Sequence, residues 1–391
     1  MAQISTRVVS AAALVAMVGG TAVAQTVPVA AQPVLVNGLN PRVVIPAGIV
    51  DATLPGGEVR AMESQRVWKP VCWAGAPGSM TAQQLAQMAS SHEALMNQGQ
   101  VIVVNASSQR AGLDMVYVLA GSVPAAAIPA FAAAEAYLEG QFPGDTMTVT
   151  VSVSFASLGS GIIGGTGSTT GYLTWADSRA TLVGGMDGSD TIQTSLPSGT
   201  TIPVRYKTNS TTNETRVFWT WANFKANGGS VAGNDATMQY STNFPFDYDP
   251  SNGVTGGTIS LQDVIVHETG HALGFTSGVD FRVNDIETLD VFRFRRTDGS
   301  GSNDFNPDTT TEFGVRPRWA VYNNPNDDVN FDDISVEHRF SDGSPWQASH
   351  FREQVPAIGI MDPAFSYGET FYPNFLRSTD ISAFDAIGYD K

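Results

Sequence analysis

The sequence predicts an α+β protein, and three stretches carry that prediction. Residues 147–155 alternate cleanly: Met147, Val149, Val151, Val153 and Phe155 point one way, and Thr148, Thr150, Ser152 and Ser154 the other, as in a half-buried strand. Residues 81–97, TAQQLAQMASSHEALMN, carry a helical pattern. A second helix begins near Leu261, with Ser260 and Asp263 as a capping-box-like start and Gly274 as its stop. With 391 residues, 42% of them hydrophobic, the chain is long enough for one large domain or two modest ones.

In chain order, the first element is an export signal over residues 1–24. Arg7 supplies its positive start, residues 8–20 a short apolar core, and AVA (22–24) a small-x-small cleavage site. An uncleaved anchor is the competing reading, but the apolar run is short and broken by glycine. No later segment is apolar enough to span a membrane, so a secreted, extracellular or periplasmic protein is expected. Residues 25–111, rich in Pro, Val and Ala, form an N-terminal segment that a pro-region would resemble, and 112–391 the main domain. Within that domain, 125–142 reads as a helix ended by Pro143-Gly144, and the glycines of 158–171 predict a loop. Strands are expected at 215–221 and 235–242, and an exposed loop at 296–311. The last helix spans 378–388, with Thr379 as its N-cap and Gly388 as its stop.

Charge and cysteine content exclude two classes. A formal net charge of −16 argues against nucleic acid as a partner, because neutralising phosphates takes Lys and Arg. A single cysteine, Cys72, forbids an intramolecular disulfide, which leaves core packing and metal ions to stabilise an exported chain.

The chemistry concentrates in HETGHALGFTSG, residues 267–278. His267 and His271 stand four apart, so a helix projects both imidazoles from one face toward one ion. Glu268 is angled to the open side, where it can take a proton from a metal-activated water. A catalytic Zn2+ needs a third protein ligand, and Ser277 stands where one would be expected soon after Gly274.

The extended pattern H-E-x-x-H-x-x-G resembles the metzincins, a clan of zinc-dependent endopeptidases, and GIMDP (359–363) matches their methionine turn, with Met361 as the floor. A long insertion before the third histidine resembles the leishmanolysin arrangement, and QASHF puts His350 eleven residues before Met361. The likeness extends to bacterial secreted metalloproteases with a GHALGF motif and an AFDAIGY helix. It covers roughly residues 112 to 391, strongest at 263–280 and 345–390. It implies a zincin-like domain with a twisted mixed sheet, an active-site helix and a lower lobe holding the Met turn. It also implies a protein or peptide substrate, laid as an added strand along an edge strand, 235–242. Some metzincins carry a tyrosine two residues past the methionine; here that residue is Pro363, with Tyr367 a distant substitute.

Rivals for the third ligand are His338, on a strand-like stretch, and the carboxylates Glu287 and Asp280. Cys72 also has two readings: a pro-segment thiolate capping the metal, as in several metzincins, or a small buried hydrophobe beside Val71 and Trp73. Asp247, Asp249 and Asn252 (within 246–253) and the acids of 326–333 offer oxygen ligands for Ca2+, against the simpler reading of solvated acidic loops. The class that competes with a peptidase is a secreted or surface binding protein on a zincin scaffold without catalysis.

Overall fold

In a computed structural model, the described residues are 42–75, 80–105, 112–188, 190–205, 211–280, 286–295, 355–391, pieces of 311–353, and two short strands nearer the N-terminus. Eleven strands form one mixed sheet among the described residues. They are β1 (Arg7–Ser10), β2 (Val34–Val36), β3 (Arg42–Thr53), β4 (Val59–Ala74), β5 (Gln100–Val104), β6 (Leu113–Leu119), β7 (Met147–Ala156), β8 (Ile162–Thr174), β9 (Arg216–Thr220), β10 (Ala236–Ser241) and β11 (Ala364–Phe365). Their order is β1-β5-β6-β7-β10-β8-β4-β3-β2, with β9 added to β8 and β11 to β4. The helices described along their length are α1 (Ala82–Asn97), α2 (Ile128–Gln141), α3 (Trp175–Gly184), α4 (Trp221–Ala226), α5 (Leu261–Leu273) and α6 (Ser378–Ala386).

Alternation in β7 works as expected. Val149, Val151, Val153 and Phe155 enter the main core with Phe131 and Leu138 of α2 and Val264 of α5. On the other face Ser152 and Ser154 bond His92 of α1 at 3.0 and 2.8 Å, so that side is polar yet buried. α1 starts at Thr81, whose hydroxyl accepts from the Gln84 N–H while the Gln84 side chain accepts from the Thr81 N–H, a complete capping box.

Three expectations are corrected. Residues 158–171 are not a loop; most of them form β8, in the middle of the sheet. Glycine serves close packing there, since a Cβ on Gly167 would meet the Trp68 ring at 2.7 Å and one on Gly171 the Trp221 ring at 2.5 Å. Residues 235–242 are not an edge strand: β10 pairs in parallel with β7 and antiparallel with β8. The edge that β8 would offer is covered by β4, from the N-terminal segment, through pairs running from Gln65↔Thr170 to Trp73↔Ile162. Finally, Thr379 lies inside α6, whose N-cap is Arg377; its hydroxyl donates to the Ile358 carbonyl instead.

Of the export signal only Arg7–Ser10 is described, as β1 paired with β5; residues 11–33 lie outside the described residues. The exposed loop expected at 296–311 also lies outside them, except for residue 311. No helix among the described residues is long and apolar enough to cross a membrane.

Candidate metal centre

Helix α5 is fixed at both ends before it presents any chemistry. The Ser260 hydroxyl accepts from the Asp263 N–H at 3.4 Å, and the Asp263 carboxylate accepts from the Phe371 N–H at 2.6 Å and the Thr370 hydroxyl at 2.9 Å. At the other end Gly274 adopts φ 116°, a left-handed conformation open to glycine, and a Cβ there would meet Asn223 at 2.9 Å.

His267 and His271 project from α5 and meet His350, which lies 79 residues beyond His271 in the chain. The His271 Nε2 lies 3.1 Å from that of His267 and 3.2 Å from that of His350. Each Nδ1 faces a backbone carbonyl: Ile360 for His267 at 2.7 Å, Phe275 for His271 at 2.7 Å, and Gln347 for His350 at 3.4 Å. A carbonyl can only accept, so each Nδ1 carries the proton and each Nε2 offers a bare lone pair. Three lone pairs turned on one another repel unless a cation sits between them. Two nitrogens bound at about 2.05 Å in a tetrahedral site stand roughly 3.3 Å apart, close to the separations found. Burial holds all three imidazoles well below their ordinary pKa, His267 at about 4, so they stay neutral and ready to ligate. The donor set therefore fits a divalent metal ion.

The surroundings hold this geometry. The Glu268 Oε2 accepts from the Thr166 hydroxyl of β8 at 2.5 Å, while its buried Oε1 has no partner and would lie 3.2 Å from a Cβ on Gly164. Burial pushes the Glu268 carboxyl up to about 8, a shift that a bound cation would oppose. Met361 is fully buried and packs so closely on α5 that a Cβ on Gly270 would collide with its sulfur. Ser277 holds the approach to the third histidine: its N–H donates to the Ser349 hydroxyl at 3.0 Å, beside His350, and its own hydroxyl donates to Asp290 at 2.6 Å.

Asp380 was not singled out by sequence reasoning. Fully buried, it accepts from the N–H groups of Ile360 at 2.9 Å, Met361 at 3.1 Å and Arg377 at 2.7 Å, and so clamps the methionine turn. An aspartate three residues after Arg377, at the start of a helix, was the signal available.

The rival carboxylates are engaged elsewhere. Glu287 pairs with the buried Lys69 and accepts from the Thr276 hydroxyl, and Asp280 accepts from the Ala348 N–H at 2.8 Å. His338 lies on the strand Glu337–Phe340, opposite Phe331, and its side chain is outside the described residues. Tyr367 is exposed. Cys72 is buried opposite Gly164 of β8, and its sulfur, a His267 nitrogen and a Glu268 oxygen all lie within 4.8 Å of one another. Just beyond it, Trp73 and Ala74 pair in parallel with Ala364 and Phe365 of β11, so the tail of β4 runs between β8 and the segment that follows Met361.

The chain matches no protein-family model, no curated protein and no solved structure.

In the 246–253 loop Asp247 already accepts from the Thr255 N–H and hydroxyl and from the Asp249 N–H, so local donors fill the carboxylate proposed for Ca2+. Of 326–333 only Val329–Asp332 is described, as a strand without its side chains.

Proposed function

We propose that the protein is a secreted zinc-dependent endopeptidase of metzincin type, with His267, His271 and His350 as ligands and Glu268 as general base. The observation that carries this reading is the convergence of three unprotonated Nε2 atoms beside a buried glutamate with one unpartnered oxygen. A zinc ion held there would supply Lewis acidity, acidifying a water and polarising a peptide carbonyl. Glu268 takes the water proton through Oε1, held in line by the Thr166 hydroxyl on Oε2, and then returns it to the departing amine. Met361, Gly274 and Asp380 are positioning residues for the ligands.

The N-terminal segment is the inhibitory part in this reading. β4 lies antiparallel on β8 and parallel to β11, the pairing an extended peptide substrate would use, and Cys72 reaches the metal side of Glu268. The full-length chain is then latent, and displacement of β4 opens the groove.

The test measures zinc content and casein hydrolysis for the chain before and after limited proteolysis of its N-terminal segment. Glu268→Gln is expected to keep zinc and lose activity at least about 100-fold. His350→Ala is expected to lose zinc, and His338→Ala to keep both properties. Cys72→Ala is expected to raise the activity of the uncut chain. Equal hydrolysis by wild type and Glu268→Gln would remove the peptidase reading, and loss of zinc only in His338→Ala would remove the ligand assignment.

A further inference from the structure

β4 sends one charged side chain into the interior. Its Arg60, Glu63 and Arg66 stay at least partly exposed, whereas Lys69 is 1% exposed. The Lys69 ammonium pairs with the Glu287 carboxylate and donates to the Ser277 carbonyl at 3.3 Å. The other Glu287 oxygen accepts from the Thr276 hydroxyl, so both oxygens have a donor while β4 is in place. This pocket stands on fixed backbone. Glu287 forms a parallel bridge with Phe218 of β9, whose N–H donates to the Ile286 carbonyl at 2.9 Å, and the Glu287 N–H donates to Asp290 at 2.9 Å. Arg293, in the same corner, is engaged on the Ser341 and Ala348 carbonyls at 2.8 and 3.0 Å. The main chain of β4 is held as well: the side chain of Gln347, three residues before His350, donates to the Lys69 carbonyl at 2.6 Å.

A bulge aims Lys69. Trp68 pairs with Gly167 and Val71 with Gly165, so three steps along β4 match two along β8. Residues three apart on a regular strand face opposite ways, and the extra residue turns Cys72 back to the side that Lys69 faces. Trp68 lies on the other side, against His92 of α1. β4 therefore presents Lys69 to Glu287 and Cys72 to His267 and Glu268 together. Once the Lys69 ammonium is gone, Glu287 is a buried carboxylate without its counter-charge, a costly state that another cation would relieve.

We propose that Glu287, with the Ser277 carbonyl and the Gln347 side chain, forms a subsite that selects a lysine two or three residues ahead of the substrate residue lying at the metal. Lys69 fills it in the uncut chain, three residues ahead of Cys72, and a substrate's lysine fills it after β4 has left. A compact ammonium with three donors suits one carboxylate oxygen and one carbonyl better than the planar fork of arginine does. The subsite rests on the reading of β4 as a strand on the path of a peptide substrate.

The experiment uses the full chain nicked in its N-terminal segment, and fluorescent peptides of the β4 sequence, residues 65–74, carrying Cys72→Ala so that no thiolate binds the metal. Anisotropy is expected to show the Lys69 peptide binding about 30-fold tighter than its Lys69→Met version. With the Glu287→Gln chain that difference is expected to shrink below about 3-fold. Equal binding of the two peptides by wild type, no binding of either, or an undiminished lysine preference in Glu287→Gln overturns the subsite. The change in the peptide leaves the protein untouched, so the first comparison stands even where Glu287→Gln unfolds. Mapping the bonds cut in casein is expected to find lysine enriched shortly ahead of them. Cuts without that enrichment overturn the subsite and leave the peptidase reading in place. Lysine-dependent binding with no cut at all supports the subsite and removes the peptidase reading instead.

Discussion

Gly270 sets how close the methionine floor comes to the histidines. It is one residue before His271, and any Cβ there would meet the Met361 sulfur and approach the Phe384 ring at 3.4 Å. Gly270→Ala is therefore expected to push Met361 off the helix, at a cost of about 1–3 kcal/mol in stability by chemical denaturation, with weaker zinc retention. An unchanged denaturation midpoint would show that the floor yields freely. At this scale much was legible in the sequence. His267 and His271 share a helix face by spacing alone, with Glu268 angled to the open side, and Gly274 is marked as a stop by its position. His350 and Met361 came from resemblance, and the structure brings both to the centre. Asp380 was missed because its work is to accept three backbone N–H groups, and no spacing rule advertises an acceptor for a turn twenty residues upstream.

Elements were harder to read than residues. β8 looked like a loop because its glycines satisfy the usual signature of one, but they are there to let Trp68, Trp221 and Glu268 come close. β10 was recognisable as a strand, yet its neighbours depend on long-range pairing that local alternation does not encode. The contact between α1 and the sheet offers a test at this scale. His92 is buried between Ser152 and Ser154, and burial, aided by Arg66, holds its pKa down at about 3 against an ordinary 6.5. The neutral ring is thus favoured in the folded protein. Its contribution is whole above pH 6.5 and is lost as pH falls toward 3, at about 1.4 kcal/mol per pH unit. Stability of wild type is expected to fall more steeply from pH 6.5 to 5 than that of His92→Asn, measured by urea unfolding. Parallel curves would mean that His92 does not sense pH.

For the whole molecule, the N-terminal segment is not an appendage. β3 and β4 extend the main sheet, Lys69 is buried against Glu287, and the Lys69 carbonyl accepts from the Gln347 side chain at 2.6 Å. Composition alone separated residues 25–111 from the rest, because Pro, Val and Ala content says nothing about which edge a strand will cover. A metal at three buried histidines from two distant parts of the chain should also stabilise the whole fold. Stripping zinc with a chelator is expected to lower Tm by several degrees, and adding zinc back should restore it. A Tm indifferent to zinc would show that the centre is rigid without the ion.

The bond from the Ser277 N–H to Ser349 has a wider consequence. It fastens the two feet of a chain excursion of about seventy residues beside the three histidines. Closing a longer or shorter excursion changes its entropy only slowly, as the logarithm of its length. Exchange of sequence between these serines must spare 286–295, where Glu287, Asp290 and Arg293 are bonded to Lys69, Ser277 and Ala348 beside the centre.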